Sequence, residues 1–146
     1  MSEQKIKFKI VTPEKTVYES EVDQATLPVL DGEVTILPNH RSYIAALKAG
    51  EIMLKTAGKE TLMATSGGFI EFSNNTLLVL ADTAEAAAEI DVKRAEEAKQ
   101  RAEDLKKEKI SMNDEEYARV AAAIEKEAAR IKVARKHRTK HNIQID

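Results

Sequence analysis

The sequence contains no cysteine and no tryptophan. The first absence removes disulfides, thiolate metal sites and cysteine nucleophiles together, and it fits a reducing compartment. Aromatic residues make up only 4% of the chain, which excludes an aromatic-rich core, while an apolar fraction of 42% is enough for a folded protein. No apolar run approaches the roughly 18–20 residues of a membrane span. None exceeds five residues, and residues 77–81 form one of strand length. Residues 1–10 alternate charged and apolar side chains and lack the apolar stretch of a secretory signal. A soluble protein is expected, with any membrane association made through a partner.

Glycine and proline are scarce and confined: all five glycines and all three prolines precede residue 69. That divides the 146 residues into two parts written in two periods. In the first, Ile6, Phe8 and Ile10 alternate with Lys5, Lys7 and Lys9, the signature of a strand with one buried face. Further strand-like runs cover 17–19, 22–27, 33–37, 42–47, 51–56, 61–64, 69–72 and 76–81. Turn residues separate them, among them Asp31-Gly32, Pro38-Asn39, Gly58-Lys59, Gly67-Gly68 and Asn74-Asn75. Short strands at this spacing imply a β-sandwich or barrel over residues 1–84. A domain of that size buries only about 60% of its unfolded surface, so modest stability is expected.

From Ala84 onward alanine and charge take over. Ala88, Asp91, Ala95, Ala98, Ala102 and Leu105 fall on one line at spacings of three and four, an amphipathic helix over about 91–109 that ends in Lys106-Lys107-Glu108-Lys109. Asn113 with Glu116 three residues on is a capping box, and Tyr117, Val120, Ala121, Ile124, Ala128 and Ile131 form the stripe of a second helix over about 114–137. Residues 85–146 are therefore expected to form an antiparallel helical hairpin with a basic tail. Its alanine seam buries little area. A hairpin that opens and one that stays packed both fit the pattern.

The net charge of −2 is unevenly spread: −3 over residues 1–84, −4 over 85–125 and +5 over 126–146. A solvated C-terminus and a tail that meets an anionic surface are both consistent with this. No nucleic-acid partner is expected. Catalytic signals are nearly absent. No pairing among His40, His137 and His141 suits a metal site, since His137 and His141 lie in a basic tail, and no metal site is expected. Ser66-Gly67-Gly68 lacks the Gly-x-Ser-x-Gly pattern and reads as a strand connection. No phosphate-binding glycine loop is present.

The junction 89–95 carries more information. Asp91 reads as an N-cap with Arg94 in the first turn. Arg94 and Arg101, seven apart, share a face of the first helix, and Lys126 and Arg130, four apart, share one of the second. In an antiparallel hairpin these four cations can converge near Asp91 as a polyphosphate pocket. Surface charges that coincide by chance give the same pattern.

Gly32-Glu33-Val34-Thr35-Ile36-Leu37-Pro38-Asn39-His40, Ala46-Leu47-Lys48-Ala49-Gly50-Glu51, Ser66-Gly67-Gly68-Phe69 and Leu80-Ala81-Asp82-Thr83-Ala84-Glu85 stand in an order and spacing that resembles the epsilon subunit of bacterial F-type ATP synthase over nearly the whole chain. Thr35 and Asn39 replace glycines usual in that family; asparagine tolerates left-handed backbone, so the turn at 39 is expected to survive. The resemblance implies a ten-stranded β-sandwich followed by a two-helix hairpin, in a non-catalytic central-stalk subunit of a rotary, proton-translocating enzyme. It implies a peripheral position on the cytoplasmic face of the bacterial membrane. The implied partners are the gamma subunit and the c-ring, contacted through Asp31, Gly32 and Glu33 with His40 nearby. It also implies a hairpin that permits ATP hydrolysis when folded on the sandwich. When extended, the hairpin inhibits hydrolysis by setting Lys126, Arg130, Lys132, Arg135 and Lys136 against acidic segments of the alpha/beta head.

Some members bind ATP on the folded hairpin through Ile-Asp-x-x-Arg-Ala, which stands here as Ile90-Asp91-Val92-Lys93-Arg94-Ala95. The resemblance adds Glu85, Arg101, Lys126 and Arg130 as supporting residues and makes ATP a regulatory ligand, with no cofactor required. The lysine at 126 keeps the charge of the family's arginine but loses its planar fork. The alternative from a different class is a free-standing β-sandwich adaptor that binds a helical protein.

Overall fold

The structure, a computed structural model, describes residues 4–108 and 112–141. It is a ten-stranded β-sandwich followed by an antiparallel two-helix hairpin. The strands are β1 (Ile6–Val11), β2 (Thr16–Val22), β3 (Gln24–Val29), β4 (Gly32–Ile36), β5 (Tyr43–Leu47), β6 (Gly50–Thr56), β7 (Lys59–Thr65), β8 (Gly68–Ser73), β9 (Thr76–Ala81) and β10 (Ala84–Ala86). Hydrogen bonding runs β10-β7-β6-β3-β5-β8-β9-β1-β2, with β4 paired to β3. The link between the two layers is slight, a single pairing of Val29 with Leu47. The period-two residues meet between the layers: Ile6, Phe8 and Ile10 lie against Leu27, Ile36, Ile52, Leu54, Ile70, Phe72, Leu77 and Val79, all essentially inaccessible to solvent.

Two features differ from the sequence reading. The apolar run 22–27 is two strands, broken at Asp23. The Asp23 carboxylate accepts the Ala57 backbone N–H at 2.6 Å and lies 3.6 Å from Lys5 Nζ, so this residue ties the β6–β7 turn to the strand break. Strand β10 has no period of its own to announce it; it exists because Ala84, Glu85 and Ala86 pair with Thr65, Ala64 and Met63 of β7. Asn39 does adopt left-handed backbone, with φ 66°. It also interlocks with Asn75, whose Oδ1 accepts the Asn39 N–H at 2.6 Å and whose amide donates to Asn39 Oδ1 at 3.1 Å.

After a 3-10 turn at Ala87–Glu89 come α1 (Val92–Glu108) and α2 (Asp114–Lys140). Asn113 caps α2, its side chain accepting from Glu116 N at 2.8 Å. Helix α2 runs past 137, so His137 and His141 are held by helical geometry, with ring centroids 4.3 Å apart. The expected end of the first helix at Lys109 and the tail beyond 141 lie outside the described residues. The α1 seam is narrower than its alanine line: Val92, Ala95 and Ala102 are buried, Ala98 is half-buried, and Ala88 and Leu105 are exposed. On α2 the stripe runs from an exposed Tyr117 through the half-buried Val120, Ala121, Ile124 and Ala128, whereas Ala129, Ile131, Val133 and Ala134 are buried. The second half of α2 is covered twice, by α1 and by the outer face of β6 and β7. There Val133 and Ala134 join Leu62, Ala64, Ala87, Ile90 and Val92 in a small second core.

Gly68 begins β8 at φ 143°, and a Cβ there would overlap the Leu80 carbonyl and sit 2.9 Å from Ala81 Cα. Gly68→Ala is expected to cost about 3 kcal/mol, from both strain and backbone collision. Gly58→Ala, at φ 79° with open space around it, should cost about 1 kcal/mol. Urea denaturation of both variants checks the order.

Candidate functional site

Strand β10 sets Glu85 opposite Ala64, at the edge of the sandwich where the chain turns into the hairpin. The following residues anchor and cap α1. Ile90 and Ala95 are buried. Asp91 is exposed, its Oδ1 accepting from Arg94 N at 3.1 Å and its backbone oxygen from Ala95 N at 3.0 Å, which is N-cap geometry. Arg130 arrives from α2. Its Nε and Nη2 donate to Glu85 Oε2 and Oε1 at 2.7 and 3.0 Å, a bidentate pair between helix and sandwich. Its Nη1 donates to Glu127 Oε2 at 2.8 Å. Glu127 is only 8% exposed. The Glu85 hydrogen bonds, helped by Glu127 and opposed by burial, raise the Arg130 pKa above its already high ordinary value.

A cleft of about 300 Å³ opens over these groups, lined by Glu85, Glu89, Asp91, Arg94, Ala98, Arg101 and Arg130. It therefore brings together five of the residues singled out in the sequence: Glu85, Asp91, Arg94, Arg101 and Arg130. Ile90 and Ala95 lie buried rather than on its wall, and Lys126, half-buried one turn before Arg130, does not line it. The three guanidinium groups face three carboxylates, and Arg130 is already engaged. Arg94 and Arg101, both exposed on α1, are the cations best placed to meet a negatively charged group. Glu89, Ala98 and Glu127 were not anticipated. The signal for Glu127 was its i,i+3 spacing to Arg130, which marks helical ion pairs.

Three further cations of α2 are paired with other elements, two with the sandwich and one with α1. Lys136 Nζ donates to Glu51 Oε1 on β6 at 2.6 Å, Lys140 to Glu60 on β7, and Arg135 to Glu96 on α1. Lys132 lines a groove of about 500 Å³ beside Glu33, Lys48 and Glu51. The Asp31-Gly32-Glu33 turn is exposed at one end of the β3–β4 hairpin. His40 is not near it. The strand β4, roughly 13 Å long, separates them, because Gly32 pairs with Val29 and Ile36 with Ala25 at the far end. There His40 packs edge-on to Tyr43 and Phe72, with Nδ1 2.7 Å from the Arg41 carbonyl oxygen.

A second surface was not anticipated. Ala46, Phe69, Leu80 and Val11 are successive partners across β5, β8, β9 and β1, and Ile44 lies two residues from Ala46 on the same face. Ile44, Phe69 and Leu80 are 74%, 61% and 50% exposed. A contiguous exposed apolar sheet face marks an interaction surface. The unbroken apolar run of β9 was its trace in the sequence, since a strand with one wet face would alternate.

Residues 5–87 match the family model for the ATP synthase delta/epsilon chain β-sandwich domain, and residues 88–135 match that for its long α-helix domain. The chain belongs to the ATP synthase delta/epsilon family. Among its relatives, the ATP synthase epsilon chain of Desulforamulus reducens is 47% identical over 125 residues, covering 86% of this chain and 93% of the relative. That of Dehalococcoides mccartyi is 42% identical over 139 residues, covering 92% and 95%. A chain in the OSCP/F1/c-ring structure of the Euglena gracilis mitochondrial ATP synthase has the same fold, with a TM-score of 0.71 at 19% identity over 86% of this chain and 78% of that one. One in the central stalk/c-ring structure of the Tetrahymena thermophila enzyme superposes with a TM-score of 0.57 at 17% identity, covering 94% and 98%. As an epsilon-type chain it is a non-catalytic subunit of an ATP synthase. Among the described residues, no helix of this family member is long and apolar enough to cross a membrane.

The C-terminal turn of α2 is expected to respond to acid. His137 has its pKa held below 6.5 by burial, then by His141 and Arg138. A histidine whose folded pKa is lowered binds fewer protons folded than unfolded, so the stability present at neutral pH is lost as pH falls through the range below 6.5. Amide protection at the end of α2 should decline between pH 7.5 and 5.5 and do so less in His137→Gln, as read by hydrogen exchange.

Proposed function

We propose that this chain is a central-stalk subunit of a rotary ATP synthase, held peripherally at the cytoplasmic face of the bacterial membrane, whose hairpin is a movable brake on ATP hydrolysis. The exposed apolar face of β5, β8, β9 and β1 docks onto the gamma subunit. The Asp31-Gly32-Glu33 turn meets the c-ring. Docked, the hairpin leaves hydrolysis free. Extended, it presents the basic side of α2 to acidic segments of the alpha/beta head.

The observation that carries this reading is where the cations of α2 go. Arg130, Lys136 and Lys140 are neutralised by Glu85, Glu51 and Glu60 of the sandwich, on three different strands. The apolar contact beneath them is small and alanine-rich. Such an interface can trade sandwich carboxylates for those of another protein, because the hydrogen bonds to charged groups given up in docking, each worth about 1.5–3 kcal/mol, are regained at the new partner.

ATP is the proposed ligand of the cleft in the docked form, its phosphates meeting Arg94 and Arg101. Binding restricted to one state shifts the population toward it, and a shift from 1:99 to 99:1 takes about 5.5 kcal/mol of differential affinity.

Deleting residues 85–146 is expected to leave stalk assembly intact and raise ATP hydrolysis by the reconstituted head; unchanged hydrolysis would remove the brake. Titration of the isolated protein with ATP should saturate by millimolar concentration. Arg94→Ala should weaken binding roughly tenfold or more, the worth of a charge-assisted hydrogen bond. Phe69→Glu should preserve the fold and weaken capture of gamma by about thirtyfold, as expected for the centre of an apolar interface.

A further inference from the structure

Arg130 is held by two carboxylates that differ in kind. Glu85 belongs to β10 and joins α2 to the sandwich. Glu127 sits three residues back on the same helix, so it moves with Arg130 and adds nothing to the attachment directly. It is nevertheless among the few charged side chains the fold buries, and Arg130 is its hydrogen-bond partner.

Burying a carboxylate is unfavourable unless it is paired, so its position calls for a function. Geometry supplies one. A guanidinium has a planar fork of five N–H groups, and fixing an arginine chain costs up to about 2 kcal/mol of rotamer freedom. With Nη1 tied to Glu127, Nε and Nη2 form the remaining edge, and that edge meets both oxygens of Glu85. The fork is then aimed before docking, and the loss of freedom falls on the helix rather than on the docking step.

We propose that Glu127 is a positioning residue that aims the Arg130 fork at Glu85, making a latch that keeps the hairpin on the sandwich with no ligand in the cleft. The inference rests on the movable-hairpin reading above but needs no nucleotide. In it, ATP reinforces a hairpin already docked.

The absence of cysteine permits a clean test, with spin labels on Glu19→Cys and Ala123→Cys, both exposed, one on β2 and one on α2. Pulsed dipolar spectroscopy on the full chain without nucleotide then gives the ratio of undocked to docked hairpin. Glu85→Gln and Glu127→Gln are each expected to raise that ratio about tenfold, the worth of a partly buried charged hydrogen bond. Arg130→Lys keeps the charge and loses the fork, so Glu127→Gln added to it should change little further. Such non-additivity separates aiming from a general loss of helix stability.

A rise with Glu85→Gln and none with Glu127→Gln would overturn the role of Glu127. Equal effects of Glu127→Gln with arginine or lysine at 130 would do the same. No rise with Glu85→Gln would overturn the latch. A single docked distance in every variant, in high salt as well, would instead remove the movable hairpin on which the latch rests.

Discussion

Strand β7 is covered on both faces, and the rest of the molecule is arranged around that fact. Met63 points into the sandwich core, while Leu62 and Ala64 point outward into the cluster with Ile90, Val92, Val133 and Ala134. The strand is therefore the shared wall between a large apolar core and a small one. The large core is built from phenylalanine, isoleucine and leucine, and the small one mostly from alanine and valine. Buried area scales with side-chain size, so the two sides of β7 are held with unequal strength. Charge pairs from Arg130, Lys136 and Lys140 ring the weaker side.

Much of this was legible in the sequence, and the parts that were not share a cause. Strand β1, the turn at Asn39, the Asn113 cap and the two-helix hairpin follow from local rules: alternation, left-handed tolerance and capping. The misses all depend on contacts between distant segments. Strand β10 forms only because β7 offers it an edge, and Val133 and Ala134 are buried by the sandwich as well as by α1. Even so, the run Leu62-Met63-Ala64 carried a hint. A strand with one wet face alternates, and this one does not. The two-sided burial of β7 was written there.

The candidate site divides in the same way. Its anchor was readable, because Asp91 caps a helix and the motif around it is contiguous. Its electrostatics were not. Four convergent cations were expected over residues 94–130, but the cleft balances three guanidinium groups against three carboxylates and leaves Lys126 off its wall. The partners of Arg130 decide this, and neither is fixed by spacing alone: Glu85 is delivered by β10, and Glu127 is turned inward by the double cover of α2. The charge distribution along the chain then takes on meaning. The basic end of the sequence lies against acidic residues of the sandwich: of the seven cations in residues 126–146, Arg130, Lys136 and Lys140 pair with Glu85, Glu51 and Glu60.

The central claim is that hairpin and sandwich are separate units of stability joined by a weak interface. Native-state hydrogen exchange across a denaturant series tests it most directly, because it assigns an opening free energy to each amide. Two classes of amide are expected. Amides of α1 and α2 should open well below the global unfolding free energy, more easily still as salt rises, while those of β1, β8 and β9 open only with global unfolding. One shared opening free energy for helices and core strands, insensitive to salt, would contradict it.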